Sequence, residues 1–370
     1  MMSCFERAVA AINLEEPDRV PCFELGVNLA TIERLLGRLT VSAALGCMTT
    51  EQLRTLARDT VEAYAVAGLD MVPASAGFPE NYREGFVPER LASKRWTDEF
   101  GRIWEDRPGV TGLSWYIGGT VKSSEDLEKI ATLDPEDPGR TALAKETIRC
   151  AREREMAVAG YVDGPFLTAY MTVGLSDFLV KIYRDPAFTS KLLDLVTRFN
   201  CVQARTLAEL GVDAIIIGED MAGSNGPLIN PRELKNIMFP FLVRQIDEVK
   251  RTGTKVMIHS DGNTMPVFED IVGLGIDGYQ AIEPDAGMDI ALLKEKYGDK
   301  LCLIGNIDCG NTLTHGSPSQ VIAEARHVID CTAAGGGFIL GSSNSIHDGV
   351  KLENFLAMTD AAVKYGKYPS

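Results

Sequence analysis

The sequence predicts an α/β fold, a (β/α)8 TIM barrel, and three observations predict it. Short apolar runs recur along the chain with helical segments between them, and they number eight. Continuous apolar runs without alternation are the pattern of strands buried on both faces of a parallel sheet. Polar residues gather just past the C-terminal ends of those runs, at the rim where barrel enzymes build their sites. The glycine-rich phosphate loop of the competing doubly wound sheet is not there: Gly335-Gly336-Gly337 precedes a strand instead of following one and reads as a helix-ending turn.

Taken in order, residues 3–13 read as a short helix with Phe5, Val9 and Ile12 on one side. After a turn containing Pro17 and Pro21, residues 20–25 are the first expected strand, ending at Glu24. Residues 50–67 place Leu53, Leu56, Ala57, Val61, Tyr64 and Ala65 at helical spacing; Gly68 closes this helix and residues 69–73 supply the second strand. Residues 75–138 break the rhythm and are too long for a plain loop, so they read as an insertion between strands two and three, over one end of the barrel. Short β-like pieces lie near 94–104 and 111–115, and Trp96, Trp104, Trp115 and Tyr116 either line a pocket or fill a small satellite core. A helix over 140–155 leads to the strand 156–163. Two helical segments, broken near Arg184-Asp185-Pro186, lead to 214–220, and a helix over 231–252 leads to 255–260. The strands 278–283, 301–308 and 337–343 follow, each after a helical segment, and residues 1–370 read as a single barrel domain.

Composition bounds the function. A hydrophobic share of 45% and a charged share of 24% are ordinary for a globular protein. No early basic-then-apolar segment reads as a signal peptide and no apolar run approaches the ~18 residues of a membrane helix, so a cytoplasmic protein is expected. The eight cysteines (Cys4, Cys22, Cys47, Cys150, Cys201, Cys302, Cys309, Cys331) show no CxxC and no paired spacing, which argues against a disulfide framework or a cysteine-rich zinc site. A formal charge of −15 opposes binding to nucleic acid or to an anionic membrane.

The chemistry centres on residues 255–263, where an apolar run ends in His259 and Asp261. Residues two apart on a strand share a face, so the pair projects together at the rim. Glu24, Asp163, Glu219 with Asp220, Glu283, Asn306 with Asp308, and Asn344 fall at other strand ends. His259, Asp261 and Glu219 form an N/O donor set suited to zinc or another divalent ion; the competing reading is a histidine hydrogen-bonded by a neighbouring acid. Glu24, Tyr161, Asp163, Asn306 and His347 are the candidate substrate-binding residues, whereas His315 and His327 are expected to be solvated.

The motifs His259-Ser-Asp261-Gly, Gly305-Asn-Ile-Asp308 and Ser342-Ser-Asn-Ser-Ile346, followed by Leu352-Glu-Asn354, resemble the uroporphyrinogen decarboxylase superfamily, including its cobalamin-dependent methyltransferase branch. The resemblance runs from Asp18-Arg-Val-Pro21 to Leu352-Glu-Asn354. In the decarboxylases an arginine-bearing N-terminal motif grips the substrate carboxylates, as bidentate guanidinium pairing allows. The matching region here, residues 20–29, has no arginine and offers Glu24. The resembling methyltransferases hold zinc through a His-x-Cys pair and a later cysteine. His259 matches the histidine, Asp261 replaces the first cysteine and the position near Asn344 the second, which gives an expected metal set of His259, Asp261, Glu219 and Asn344. An oxygen-rich set makes a harder Lewis acid, suited to an oxygen substrate. The resemblance therefore implies a methyltransferase component that moves a methyl group from a small methoxylated or methylated donor to the cobalt of a corrinoid, O-demethylase-like, with His259, Glu219 and Asp261 catalytic. The chain shows no corrinoid-binding domain of its own, so the corrinoid is expected on a partner protein. The alternatives are a carboxy-lyase acting on a smaller acid, with Asp70 or Asp163 near the substrate, and a non-catalytic binder on the same barrel.

Overall fold

The computed structural model describes residues 2–41, 48–79, 95–106 and 114–368. Cys47, Lys94 and residues 111–113, which figured in the expectations above, lie outside them. Twelve strands occur among the described residues. They are β1 Met71–Ser75, β2 Arg95–Thr97, β3 Arg102–Asp106, β4 Ser114–Gly119, β5 Ala157–Asp163, β6 Ala214–Gly218, β7 Ala222–Gly223, β8 Gly226–Pro227, β9 Lys255–Ser260, β10 Gly278–Ala281, β11 Cys302–Ile307 and β12 Phe338–Ser342. Seven form one sheet in the order β1-β5-β6-β9-β10-β11-β12, and every pairing in it is parallel. Helices between successive strands cover its outer face, the arrangement a parallel sheet requires.

The eighth position differs from the expectation. Residues 20–25 do lie between β12 and β1, but they make isolated bridges rather than a regular strand: Cys22 with Leu340 and Phe23 with Met71. Phe23 N donates to Leu340 O at 2.9 Å, Leu340 N to Pro21 O at 2.9 Å and Asp70 N to Cys22 O at 2.8 Å, which closes the barrel. Pro21 has no N–H to contribute to a ladder, so the pairing is cut short.

Strand alternation sorts the core into two shells. Met71, Ala157, Ala159, Ala214, Ile216, Met257, Cys302, Ile304, Ile339 and Phe23 fill the barrel interior, while Val72, Val158, Ile215, Ile217, Val256, Ile258 and Leu303 meet the helices. The helix Cys4–Ile12, capped by Ser3, presents Ala8, Ala11 and Ile12 to the interior cluster and plugs its N-terminal end. Asp70 lies at that same end, wholly buried, and pairs with Arg7 at 2.7 Å and Arg19 at 3.0 Å. It is therefore remote from the rim, contrary to the lyase expectation, because it precedes β1 rather than following it.

Between β5 and β6 the chain makes three helices where two were expected: Pro165–Val173, Leu175–Arg184 and Pro186–Glu209. The additional break falls at Gly174, whose φ of 102° only glycine adopts without strain. In the insertion, β2, β3 and β4 form an antiparallel sheet with Trp96 stacked on Trp104 at 6.0 Å. Its β4 end packs on the helix Pro165–Val173, so closely that a Cβ on Gly119 would stand 2.2 Å from Thr172 O. Buried Arg140 clamps the β2–β3 turn through both Glu99 oxygens, each at 2.6 Å. Among the described residues no helix is long and apolar enough to cross a membrane.

Candidate metal centre

Continuing the interior parity past Met257 brings His259 and Asp261 to the top of the barrel, and continuing it past Ile216 brings Gly218 and Asp220. The β6–β9 register sets Gly218 beside His259, so Asp220 rises next to the imidazole. His259 is 8% exposed. Its Nε2 lies 3.4 Å from Asp220 Oδ1 and 3.7 Å from Asp261 Oδ1. Both carboxylate atoms are buried without a hydrogen-bond partner among the described residues. One ligand atom from each of the three residues falls within 4.8 Å of the others. Asp261 Oδ2 accepts from Asn344 Nδ2 at 2.7 Å, and His259 Nδ1 hydrogen-bonds Gln280 Oε1. Burial, reinforced by Asp220 and Glu283 and opposed by His259, pushes the Asp261 carboxyl up to about 6.

The backbone holds this arrangement tightly. Asp220 sits at φ 36°, Met221 N donates to Ser260 Oγ at 3.0 Å, and Gly262 N donates to Glu283 Oε2 at 2.8 Å. Gly262 has φ 78° and passes so near the β7–β8 hairpin that a Cβ would meet Ala222 O at 2.6 Å. An imidazole nitrogen and two carboxylate oxygens, turned on one another with no donor between them, are the donor set of a hard or borderline divalent cation. The residues fit such an ion.

Glu219, expected among the ligands, is elsewhere. Being one residue out of the interior parity, it turns to the N-terminus of the helix Pro165–Val173, where Oε2 accepts from Phe166 N at 2.9 Å and Leu167 N at 3.2 Å. Burial raises its carboxyl well above the usual range. Asp220 occupies the place foreseen for it. Asn344 Nδ2 donates to Asp261 Oδ2.

The expected substrate residues divide. Tyr161 is the interior side chain above Ala159; a Cβ on Gly218 would come within 2.2 Å of its Oη, so the phenol lies across the barrel top. Burial and the carboxylates of Asp163 and Asp220 raise that phenol well above 10. Asp163 Oδ2 accepts from Arg102 Nη1 at 2.8 Å, while Arg102 Nε donates to Asp98 at 2.6 Å, so the insertion reaches the rim through this guanidinium. Asn306, 4% exposed, lies near the end of β11, two residues past the interior Ile304. Glu24 is spent on closing the barrel: its oxygens accept from Ser342 N and Ser342 Oγ, each at 2.6 Å, and burial pushes its carboxyl up to about 8. His347 is exposed, and its Nδ1 accepts from Gly349 N at 3.0 Å within its own turn. His315 and His327 are exposed.

Sequence reasoning did not single out Gln280, Arg102 or Asp220 as site residues. Gln280 was visible as a polar residue inside an apolar strand, and Asp220 by counting parity from Ile216. Arg102 carried no signal, since nothing local says where an insertion docks.

Residues 115–365 match the family described as Uroporphyrinogen decarboxylase (URO-D). The chain is 25% identical over 256 residues to a uroporphyrinogen decarboxylase of Anaeromyxobacter dehalogenans, covering 68% of this chain and 71% of that one. It is 27% identical over 217 residues to the methylcobamide:CoM methyltransferase MtbA of Methanosarcina acetivorans, covering 58% of this chain and 62% of the relative. A methyltransferase from Methanosarcina mazei shares the fold, with a TM-score of 0.74 at 19% identity over 99% of both chains. With its parallel barrel, its rim site and a family match across most of its length, the chain belongs to the uroporphyrinogen decarboxylase family.

Proposed function

We propose that this protein is a methyltransferase component that transfers a methyl group from a small methoxylated or methylated donor to the cobalt of a corrinoid carried by a partner protein. The observation that carries the reading is the trio Asp220, His259 and Asp261, three cation-seeking atoms at the chemically competent end of the barrel. A divalent ion held there would act as a Lewis acid toward the oxygen that loses its methyl group. When a methyl group leaves an ether as a cation equivalent, its oxygen keeps the bonding electron pair and needs stabilisation. Tyr161, kept protonated by its surroundings, and Asn306 continue the interior parity of their strands and are the polar side chains available at the barrel top to orient that oxygen. The insertion, held by Arg140 on Glu99, reaches the rim through Arg102 on Asp163, which supports a substrate bound beneath it.

The same geometry weighs against a polycarboxylate substrate. Arg102, the cation bonded to the rim carboxylate Asp163, is also bonded to Asp98, and Asp220, Asp261 and Glu283 repel further anions. The second reading, a carboxy-lyase acting on a smaller acid, is favoured by the decarboxylase relatives and by Arg102 at the rim. Incubating the protein with candidate methyl donors and a reduced corrinoid protein separates the two. Methyl-cobalt absorbance supports methyl transfer, whereas release of carbon dioxide from small acids without it supports the lyase.

A further inference from the structure

We infer that Gln280 is a positioning residue of the metal centre, one that fixes His259 in a single tautomer and so decides that the cluster takes a metal ion rather than a proton. The inference rests on the metal-dependent reading above. The β9–β10 register places Gln280 directly beside His259, and the outer position of Tyr279 turns Gln280 inward. At 2% exposure, its Oε1 meets His259 Nδ1. A carboxamide oxygen only accepts, so with Gln280 in this orientation Nδ1 carries the ring proton and Nε2 presents a bare lone pair. That lone pair faces Asp220 Oδ1 and Asp261 Oδ1, neither of which has a donor. Asn344, by holding the other oxygen of Asp261, keeps its free oxygen on this side. Three electron-rich atoms confronting one another are mutually repulsive until a cation sits among them.

With the opposite amide orientation Gln280 would donate to Nδ1, and the proton would move to Nε2. The imidazole would then point an N–H at the two carboxylates, and the cluster would be a self-satisfied ion network with no need of a metal. The acceptor oxygen of Gln280 is thus the switch between the two, and a ligand-orienting partner of this kind typically sets metal affinity by roughly 10–100-fold.

The test uses the full chain stripped with chelator. Mn2+ and Zn2+ are titrated separately into the native protein, Gln280→Leu and Gln280→Glu, and histidine 15N spectra are taken of the metal-free native protein, with His259→Gln identifying the resonance. The assignment expects the His259 proton on Nδ1, roughly 10–100-fold weaker binding in Gln280→Leu, and binding restored in Gln280→Glu, whose carboxylate can only accept. It is overturned if the metal-free protein carries the proton on Nε2, or if Gln280→Leu folds and binds either ion within about twofold of the native protein. Should Gln280→Leu fail to fold, the 15N spectrum and the Glu variant still decide. Gln280-dependent metal binding together with no methyl-cobalt formation from any donor would remove the methyl-transfer reading and leave this assignment standing.

Discussion

Replacing Asp261 with asparagine should make the metal-free protein more stable. In the folded chain Asp261 Oδ1 lies within 4.8 Å of the Asp220 ligand atom and has no donor. Two like charges at that separation repel by about 3 kcal/mol at an effective dielectric constant of about 20. The carboxyl gives a consistent figure, since a rise from 3.8 to about 6 corresponds to about 3 kcal/mol of preference for the protonated form. The side chain is 31% exposed, so solvent screening reduces this, and about 2 kcal/mol is the working value. Asparagine keeps an oxygen for Asn344 and removes the charge.

The sign fixes the pH window. Because the folded state binds the Asp261 proton more tightly than the unfolded state, the native protein has this stability in full below about pH 4 and loses it as pH rises towards 6. Above that, Asp261→Asn should melt about 2–3 °C higher than the native protein in the presence of chelator, given the unfolding entropy of a chain this long. At pH 4 the difference should vanish. With Mn2+ or Zn2+ added, the order should reverse, because the native protein gains binding free energy that the variant has lost. Differential scanning calorimetry across pH 4–8, with and without metal, reads all three. A variant that melts below the native protein at pH 7.5 in chelator would show that Asp261 is a satisfied structural carboxylate, and the case for a cation centre would fall with it.

The same calorimetry tests Glu24→Gln. Burial pushes Glu24 up to about 8, so its contribution is present at low pH and is lost as pH rises from about 4.5 through 8; the variant should flatten that decline, with a gain at pH 9 of at most about 5 kcal/mol. Arg140→Met leaves buried Glu99 without its bidentate partner and should cost about 3–5 kcal/mol, read as a lower denaturant midpoint and faster limited proteolysis of the insertion. Gly218→Ala places a Cβ 2.2 Å from Tyr161 Oη; the ring must swing out of the barrel top, costing about 1–3 kcal/mol. Initial rates of methyl transfer should fall with little change in metal affinity.

The barrel was legible because buried parallel strands write continuous apolar runs, and the runs expected at 156–163, 214–220, 255–260 and 337–343 coincide within two residues at each end with β5, β6, β9 and β12. The failures have physical causes. Residues 20–25 read as a strand from their apolar content, but Pro21 limits ladder bonding, and what seats the segment is Asp70 accepting from Cys22 N and Glu24 holding Ser342, contacts 48 and 318 residues apart in sequence. Glu219 and Asp220 are both carboxylates at one strand end, and composition does not choose between them. Only the parity that puts Ile216 inside the barrel does, and it sends Asp220 to the site and Glu219 to a helix N-terminus. His347 looked competent from its position after β12, yet its ring is taken by the amide of Gly349. Arg102 lies beyond any local rule, because its partner Asp163 is 61 residues away.

The treatment of carboxylates at the strand ends separates the site from the acidic surface. Glu24 is met by Ser342, Asp163 by Arg102, Glu219 by the amides of Phe166 and Leu167, and Glu283 by Gly262 N. Each of these has at least one donor, as buried polar groups normally do. Asp220 Oδ1 and Asp261 Oδ1, at 3.4 and 3.7 Å from His259 Nε2, have no hydrogen-bond donor among the described residues. A formal charge of −15 spread over an exposed surface costs little, but two neighbouring buried oxygens without donors cost several kcal/mol between them. Asn344 serves one oxygen of Asp261, but the two Oδ1 atoms that face each other across His259 are left without donors, a local instability that solubility does not require. Such retained instability is characteristic of a functional site, where the missing positive charge comes from what the site binds.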